Sequence, residues 1–359
     1  MVAVARTTYF LGAGATKADF PQAPLGDELL HAILVGEHAD SLLQNLLASI
    51  FDESAVTRDT PSERRPRLDD IFTLVDAYLA GRAPSPGTFR HEDLVAVRKG
   101  LVASIGRVIA ESLPSPSGPI ADRFAAHVDD GRSVIISTNY DIVMDNALFQ
   151  NRNINYGVPV RSAIDSIGGR PNGEFREEDA HYFVPIYAHE LVGYGKTPLL
   201  KLHGSLNWLY CPRCDELDVT LRAKGALFAV DRPEFGRCSR EDCTSRYEPV
   251  LVGPSLEQRY DNRILRATWL RAERELQASS RLVIIGYSLP EADYLIRAMF
   301  ARTFAEHSRF VTVVNWRDER TPSNDTSLER RYRRLFPHCT IVWDGFEGFL
   351  DSAHGDVPD

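Results

Sequence analysis

The sequence predicts an α/β chain: a doubly wound parallel sheet with helical insertions and a small four-cysteine ribbon. Three observations predict it. Short apolar runs at 133–137, 199–202, 282–285 and 310–314 do not alternate with polar residues, as expected of central parallel strands covered on both faces. Helical stretches at 261–277 and 292–306 lie between several of them, and strands alternating with helices build such a sheet. Two closely spaced cysteine pairs, Cys211-x2-Cys214 and Cys238-x4-Cys243, mark the ribbon.

In chain order, residues 7–11 form a β-rich run that ends in Gly12-Ala13-Gly14, a strand followed by a tight turn into a helix. Residues 25–130 carry helical periodicity, as in 68–75 and 101–109, broken by Pro/Ser/Gly clusters at 83–88 and 113–119. This is the first insertion. Residues 151–197, a mixed Gly/Pro/aromatic segment, form a second. At 359 residues the chain exceeds one ordinary compact core. The expected main domain is therefore discontinuous, from 1–24, 131–150, 198–210 and 249–346, with the ribbon at 211–248 and a tail at 347–359.

Apolar residues at 43% and charged residues at 25% are ordinary globular usage. The net charge of -9 argues against direct nucleic-acid binding and against attraction to anionic lipid. Arg330, Arg331, Arg333 and Arg334 are spaced to spread charge around a helix rather than along one stripe. No apolar run approaches the roughly 18 residues that cross a bilayer. Arg6-Thr7-Thr8 interrupts the one segment that resembles a signal sequence, so a cytoplasmic chain without a membrane partner is expected.

Several polar motifs sit at strand ends, where open α/β sheets bind ligands. Gly12-Ala13-Gly14 would bring backbone N–H groups close to a pyrophosphate, although a dinucleotide fingerprint would place glycine where Lys17 stands, and a tight turn uses the same residues. In Ser137-Thr138-Asn139-Tyr140-Asp141, Asn139 offers a donor and an acceptor and Asp141 a carboxylate; a helix cap would read the same way. Lys201-Leu202-His203-Gly204-Ser205 puts a histidine at a strand end, either a general base or a structural group. Gly286-Tyr287-Ser288 and Asn315 suit ribose and phosphate contacts, and equally suit turns.

Cys211, Cys214, Cys238 and Cys243 offer the four soft ligands of a closed, structural zinc site, with Cys339 left over. The alternatives are two disulfides, disfavoured in a cytosolic chain, and a nucleic-acid-binding zinc module. Against the latter, Asp215, Glu216 and Asp218 stand beside Arg213 and Arg222.

The order of these motifs (GAG, TNYD, LHGS, paired cysteines, GYS, VN) resembles the sirtuin family across roughly residues 8–316. The resemblance implies a Rossmann-type sheet and NAD+ as substrate. It further implies that Gly12, Ala13, Gly14 and Thr16 cradle the phosphates, that Asp141 holds the nicotinamide amide, and that Asn139 and His203 are catalytic. Gly286 and Ser288 would touch phosphate or ribose, Asn315 the adenosine ribose, and the four cysteines structural Zn2+.

The departures from protein-deacylating sirtuins shift the expected acceptor. Phe20-Pro21-Gln22-Ala23-Pro24-Leu25 lacks the arginine of their first loop, Thr138 replaces a glutamine, and 251–255 stands where a peptide-pairing Phe-Gly-Glu stretch would be. These features resemble the sirtuin-like branch of bacterial anti-phage defence, whose members hydrolyse NAD+ and often work as oligomers or beside a partner protein. The expectation is an NAD+ hydrolase forming nicotinamide and ADP-ribose, acting as a homo-oligomer or with a defence partner. The alternatives are an NAD-dependent protein deacylase and a non-catalytic NAD or ADP-ribose sensor.

Overall fold

A computed structural model describes residues 6–26, 28–36, 38–51, 66–128, 131–150, 154–165, 184–187, 197–221, 225–227, 237–238, 240–256, 262–305, 310–317 and 326–353. Its strands are β1 (Thr7–Leu11), β2 (Ser133–Ser137), β3 (Ile154–Asn155), β4 (Ser162–Asp165), β5 (Val184–Tyr187), β6 (Thr197–Lys201), β7 (Gly204–Cys211), β8 (Glu216–Leu221), β9 (Glu248–Leu251), β10 (Arg281–Ile285), β11 (Phe310–Val314) and β12 (Thr340–Val342). The helices are α1 (Ala13–Asp19), α2 (Leu29–Val35), α3 (Ser41–Ile50), α4 (Leu68–Leu79), α5 (His91–Glu111), α6 (Pro119–His127), α7 (Val143–Gln150), α8 (Arg263–Ala278), α9 (Tyr294–Phe300), α10 (Thr326–Leu335) and α11 (Gly345–Ala353).

Among the described residues, seven strands form the large sheet in the order β12-β11-β10-β1-β2-β6-β3, and every pairing in it is parallel. The chain moves from β1 to β2 on one side and later places β10 on the other. The sheet is therefore doubly wound, with a switch point between β1 and β10. Alternate strand residues feed two cores. Tyr9, Leu11, Ile135, Leu199, Val283 and Ile285 face one, completed by α1, α6, α7 and α11. Phe10, Val134, Ile136, Leu200, Leu282 and Ile284 face the other, completed by α8, α9 and α10. Burial on both faces is why these strands read as unbroken apolar runs.

The expected helical insertion divides. Helices α2–α5 build a separate core around Ile33, Leu46, Ile71, Phe72, Val97 and Leu101. Helix α6, inside the same 25–130 segment, instead packs Ile120 and Phe124 into the main core, because its apolar face completes the β1–β2 side of the sheet. The start of α6 is held from α1: the Ile120 and Ala121 N–H groups donate to Asp19, supplying acceptors that no residue at its own N-terminus provides.

A second sheet has the order β5-β4-β8-β7-β9 and mixes parallel and antiparallel pairs. The chain leaves the large sheet after Lys201 and enters the small one at Gly204, so the expected main-domain segment 198–210 is shared between the sheets. The physical reason is the turn at 202–204, where Gly204 has φ +80° and a Cβ would lie 1.7 Å from the Val250 carbonyl oxygen. Much of the expected second insertion, 166–183 and 188–196, lies outside the described residues. Its described parts supply β3 to the large sheet and β4 and β5 to the small one.

Candidate functional site

One row of residues crosses the large sheet in register: Val314, Ile285, Leu11, Ser137 and Lys201. Each of the strand-end polar motifs begins on this row or just beyond it, at the carboxyl edge. Asn315, Gly286 and Gly12 lie one residue past it, and Asn139 and His203 two. Parallel pairing at a common register thus gathers onto one edge residues scattered over some 300 positions.

The β1 and β10 turns meet at the switch point. A Cβ on Gly12 would lie 2.6 Å from the Gly286 oxygen, one on Gly14 2.8 Å from the Gly286 Cα, and one on Gly286 2.2 Å from the Ala15 nitrogen. Gly286 also holds φ +62°, a conformation L side chains rarely adopt. The Gly12 N–H donates to the Ile285 carbonyl at 3.0 Å and the Gly14 N–H to the Gly286 carbonyl at 2.8 Å. These two N–H groups, expected to face a phosphate, stitch the turns together instead. Here the glycines permit close approach of two chain segments.

Beside this seam runs a side-chain network. The Asn139 Nδ2 amide donates to the Gly12 carbonyl at 3.0 Å and to Thr16 Oγ1 at 3.1 Å. Thr16 Oγ1 donates to Asp141 Oδ2 at 2.7 Å, and the Val143 N–H donates to Asp141 Oδ1 at 3.0 Å. Asp141 therefore does cap α7, as the local reading allowed, and also reaches across to α1. With its N–H groups so used, Asn139 keeps its Oδ1 acceptor for a ligand. A small cavity opens next to the network, lined by Leu11, Ala15, Thr16, Asn139, Asp141 and Lys201 with apolar Ala121, Val143, Met144 and Phe346.

Under the cavity lies a charge pair that the sequence did not single out. Lys201, 1% exposed, donates to the Asp141 carbonyl and to Asp145 Oδ2 at 2.9 Å. Tyr156 donates its hydroxyl to Asp145 Oδ1 at 2.6 Å, and Asn207 Nδ2 donates to the Tyr156 oxygen at 2.8 Å. Burial, and then the Asp145 charge, holds the Tyr156 phenol well above its usual range. This network ties the α7 start, β6 and β7 together.

His203 lies on the other side of Asn139. Its ring tilts against Tyr140 with centroids 6.2 Å apart, and its Nε2 lies 3.7 Å from Asp293 Oδ1. Burial holds the imidazole below its ordinary value of 6.5, opposed by the Asp293 charge and by a hydrogen bond with the Thr138 backbone. Tyr140, pushed up by burial and by Asp293, donates its hydroxyl to the Val252 carbonyl. The Val252 N–H in turn donates to the His203 carbonyl at 3.0 Å. Segment 250–252 is thus pinned against the histidine.

Two expected contacts stand farther out. Ser288 is exposed, and its carbonyl accepts from Arg331 Nε at 3.1 Å, so one member of the arginine cluster is directed at this loop. The Asn315 side chain accepts from the Trp316 N–H at 2.9 Å, a local cap.

The four cysteines converge at the far end of the small sheet, where β7 ends and residues 237–238 and 240–247 fold back. All four Sγ atoms lie within 4.8 Å of one another. Cys211 and Cys243 are 3.7 Å apart and Cys214 and Cys238 3.8 Å apart. A tetrahedron with metal–sulfur bonds of about 2.3 Å has edges of about 3.8 Å, so the residues fit Zn2+, while S–S distances this long exclude disulfides in this structure. The Cys214 N–H donates to Cys211 Sγ at 3.4 Å, supporting thiolate charge. Arg161 adds to this. Both its terminal nitrogens lie 3.4 Å from Cys238 Sγ, while it pairs with Asp218 and, at 3.0 Å, with Glu216.

Neither a family model nor a curated protein matches this chain. Among solved structures it is similar to Sir2Tm bound to a propionylated peptide, with 12% identity, a TM-score of 0.42, and coverage of 98% of this chain and 92% of that one. Among the described residues no helix is long and apolar enough to cross a membrane.

Lys201, Asp145, Asp293 and Arg161 escaped the sequence reading. Each is an ordinary charged residue in sequence and becomes special only through burial or a partner distant in the chain. One signal was available for Lys201: a lysine inside an apolar strand is out of place unless it is paired.

Proposed function

We propose that this chain binds NAD+ across the carboxyl edge of its large sheet and hydrolyses the bond between nicotinamide and ribose, releasing nicotinamide and ADP-ribose. The observation that carries this reading is the register row, which sets Gly12, Asn139, His203, Gly286 and Asn315 side by side at a topological switch point. Their order along the chain resembles that of sirtuins, and adds NAD+ as the dinucleotide.

In this reading the nicotinamide, a flat ring carrying one amide, enters beside Asn139 by widening a cavity that at about 10 Å³ has room for one water. Ala121, Val143, Met144 and Phe346 give it apolar walls, and the Asp141 carboxylate, already oriented by Thr16 and Val143, has lone pairs left for the amide N–H. As the glycosidic bond breaks, its electron pair neutralises the pyridinium nitrogen and positive charge builds on the ribose, as in glycoside hydrolysis. Asn139 Oδ1 orients the attacking water or the ribose hydroxyls. His203 accepts the proton that water loses as the new C–O bond forms. The buried Lys201–Asp145 pair holds the Asp141 backbone in place through the Asp141 carbonyl. Zn2+ on Cys211, Cys214, Cys238 and Cys243 would be structural, since four protein ligands leave no open position. Depletion of NAD+ in anti-phage defence, in a cytoplasmic oligomer or with a partner protein, is the biological role in keeping with this chemistry.

Incubation of the purified chain with NAD+, with and without an acylated peptide, followed by chromatography, tests the proposal. Free ADP-ribose in both arms is the expected product, and Asn139→Ala should lower turnover by about 10^2-fold or more. O-acyl-ADP-ribose appearing only with peptide would instead assign a deacylase. Tight NAD+ binding without nicotinamide release would assign a sensor.

A further inference from the structure

We infer that Asp293 is a positioning residue for His203, the buried carboxylate that lets this histidine work as a base. The inference deepens the hydrolase reading and rests on it for the reaction, but not for the pairing itself.

Asp293 occupies the N-cap position of α9, where an aspartate ordinarily accepts hydrogen bonds from its own helix. It makes no such cap bond. Its carboxylate instead turns inward, 8% exposed, with Oδ2 accepting the Tyr287 hydroxyl at 2.6 Å and Oδ1 lying 3.7 Å from His203 Nε2. Burying a carboxylate is costly, so an aspartate that forgoes its cap is turned inward by other contacts.

His203 supplies the complementary half. Its side chain is 6% exposed, and Nε2 is a buried polar atom with no hydrogen-bond partner. At 3.7 Å the contact is too long for a hydrogen bond yet within ion-pair range once the ring is protonated. In the hydrolysis, water loses a proton to Nε2 as its oxygen bonds to the ribose carbon and nicotinamide departs with the electron pair of the broken bond. The imidazolium so formed faces the Asp293 carboxylate, an opposite charge in a buried setting.

The placement of Asp293 is over-determined. Tyr287 holds its carboxylate, and Tyr332 from α10 donates its hydroxyl to the Tyr287 carbonyl at 2.7 Å. Tyr287 directly follows Gly286, so the turn that meets Gly12 and Gly14 also aims the carboxylate. Among the described residues, the other ionisable groups at this site are Tyr140, its ring tilted against that of His203, and Arg98, which acts on Tyr140 and pairs with Asp76 of the helical layer at 2.6 Å. Among the described residues, Asp293 is the carboxylate that faces Nε2, at 3.7 Å.

The experiment uses the full chain with Asp293→Asn, Asp293→Glu and His203→Ala. Asparagine keeps an acceptor for Tyr287 and removes only the charge; glutamate keeps the charge if the amide variant does not fold. The first readout is independent of activity: nitrogen-15 NMR titration of His203, assigned by its disappearance in His203→Ala. Its midpoint should fall by about one pH unit or more in Asp293→Asn and stay near the wild-type value in Asp293→Glu. The second is nicotinamide release against pH. Asp293→Asn should lose about 10^2-fold in kcat with little change in KM, and the acid limb of kcat/KM should move to lower pH. An unmoved NMR midpoint in folded Asp293→Asn overturns the pairing, whatever the activity. Undiminished turnover in His203→Ala overturns the catalytic reading instead, leaving the pairing to stand on the titration alone.

Discussion

Substituting alanine at Gly286 isolates how tightly the two turns at the switch point are sealed. Two costs combine there: φ +62°, and a Cβ 2.2 Å from the Ala15 nitrogen and 2.4 Å from the Gly14 carbonyl carbon. The left-handed conformation costs an L residue roughly 1–2 kcal/mol, and over-packing costs about 1–3 kcal/mol more. Two other glycines separate these contributions. Gly81 shares the conformation, at φ +67°, with nothing within 4 Å of its Cβ, so Gly81→Ala should cost about 1 kcal/mol after the gain from restricting the unfolded chain. Gly12 is extended, at φ -109°, and meets the Gly286 oxygen at 2.6 Å, so Gly12→Ala reports crowding alone. With the same gain from the unfolded chain, Gly286→Ala should therefore lose about 1.5–4.5 kcal/mol, a fall in Tm of roughly 3–9 °C at about 2 °C per kcal/mol. Thermal unfolding of the three variants beside wild type is the assay, with nicotinamide release measured on whatever remains folded. Gly286→Ala melting together with Gly81→Ala would refute the close-approach account of the switch point.

Other perturbations have equally definite outcomes. Removing metal with a chelator, or Cys214→Ser, should release about one Zn2+ per chain by elemental analysis and lower Tm, since structural zinc contributes to folding directly; an unchanged Tm in demonstrably metal-free protein would contradict the assignment. Lys201→Met should cost about 3–5 kcal/mol in urea unfolding because it strands Asp145 in the core, whereas Lys201→Met with Asp145→Leu should recover part of that loss. Additive losses would mean the two charges are not coupled. Because burial holds His203 below 6.5, the unfolded chain binds the proton more readily than the folded one. Stability is then fully present above about pH 6.5 and falls as pH drops below it. His203→Gln should flatten this fall when urea midpoints at pH 7.5 and 5.5 are compared, and an equal fall in both proteins would contradict it.

Much of the fold could be read directly from residue order. Uninterrupted apolar runs such as 133–137 and 282–285 announced parallel strands covered on both faces, because a strand between two helical layers has no solvent side to mark with polar residues. The cysteine spacing likewise announced a metal-sized cluster, since four thiols in two short-spaced pairs carry their own geometry. The positions of Gly12, Asn139, His203 and Gly286 at strand ends followed from the same runs.

What sequence alone could not decide were relations between distant segments. Whether the glycine N–H groups face a ligand or a neighbouring turn depends on how closely β10 approaches β1, and pairing register decides that. Helix α6 joined the main core, and β4 and β7 joined one small sheet, through contacts no local pattern encodes. Lys201 and Asp293 acquired their character the same way: a charge becomes informative only when tertiary packing removes water and sets it against specific partners. Local periodicity is set by the backbone repeat and is written along the chain. Burial and register are properties of the assembled sheet, and they decided which of its edge residues can act together.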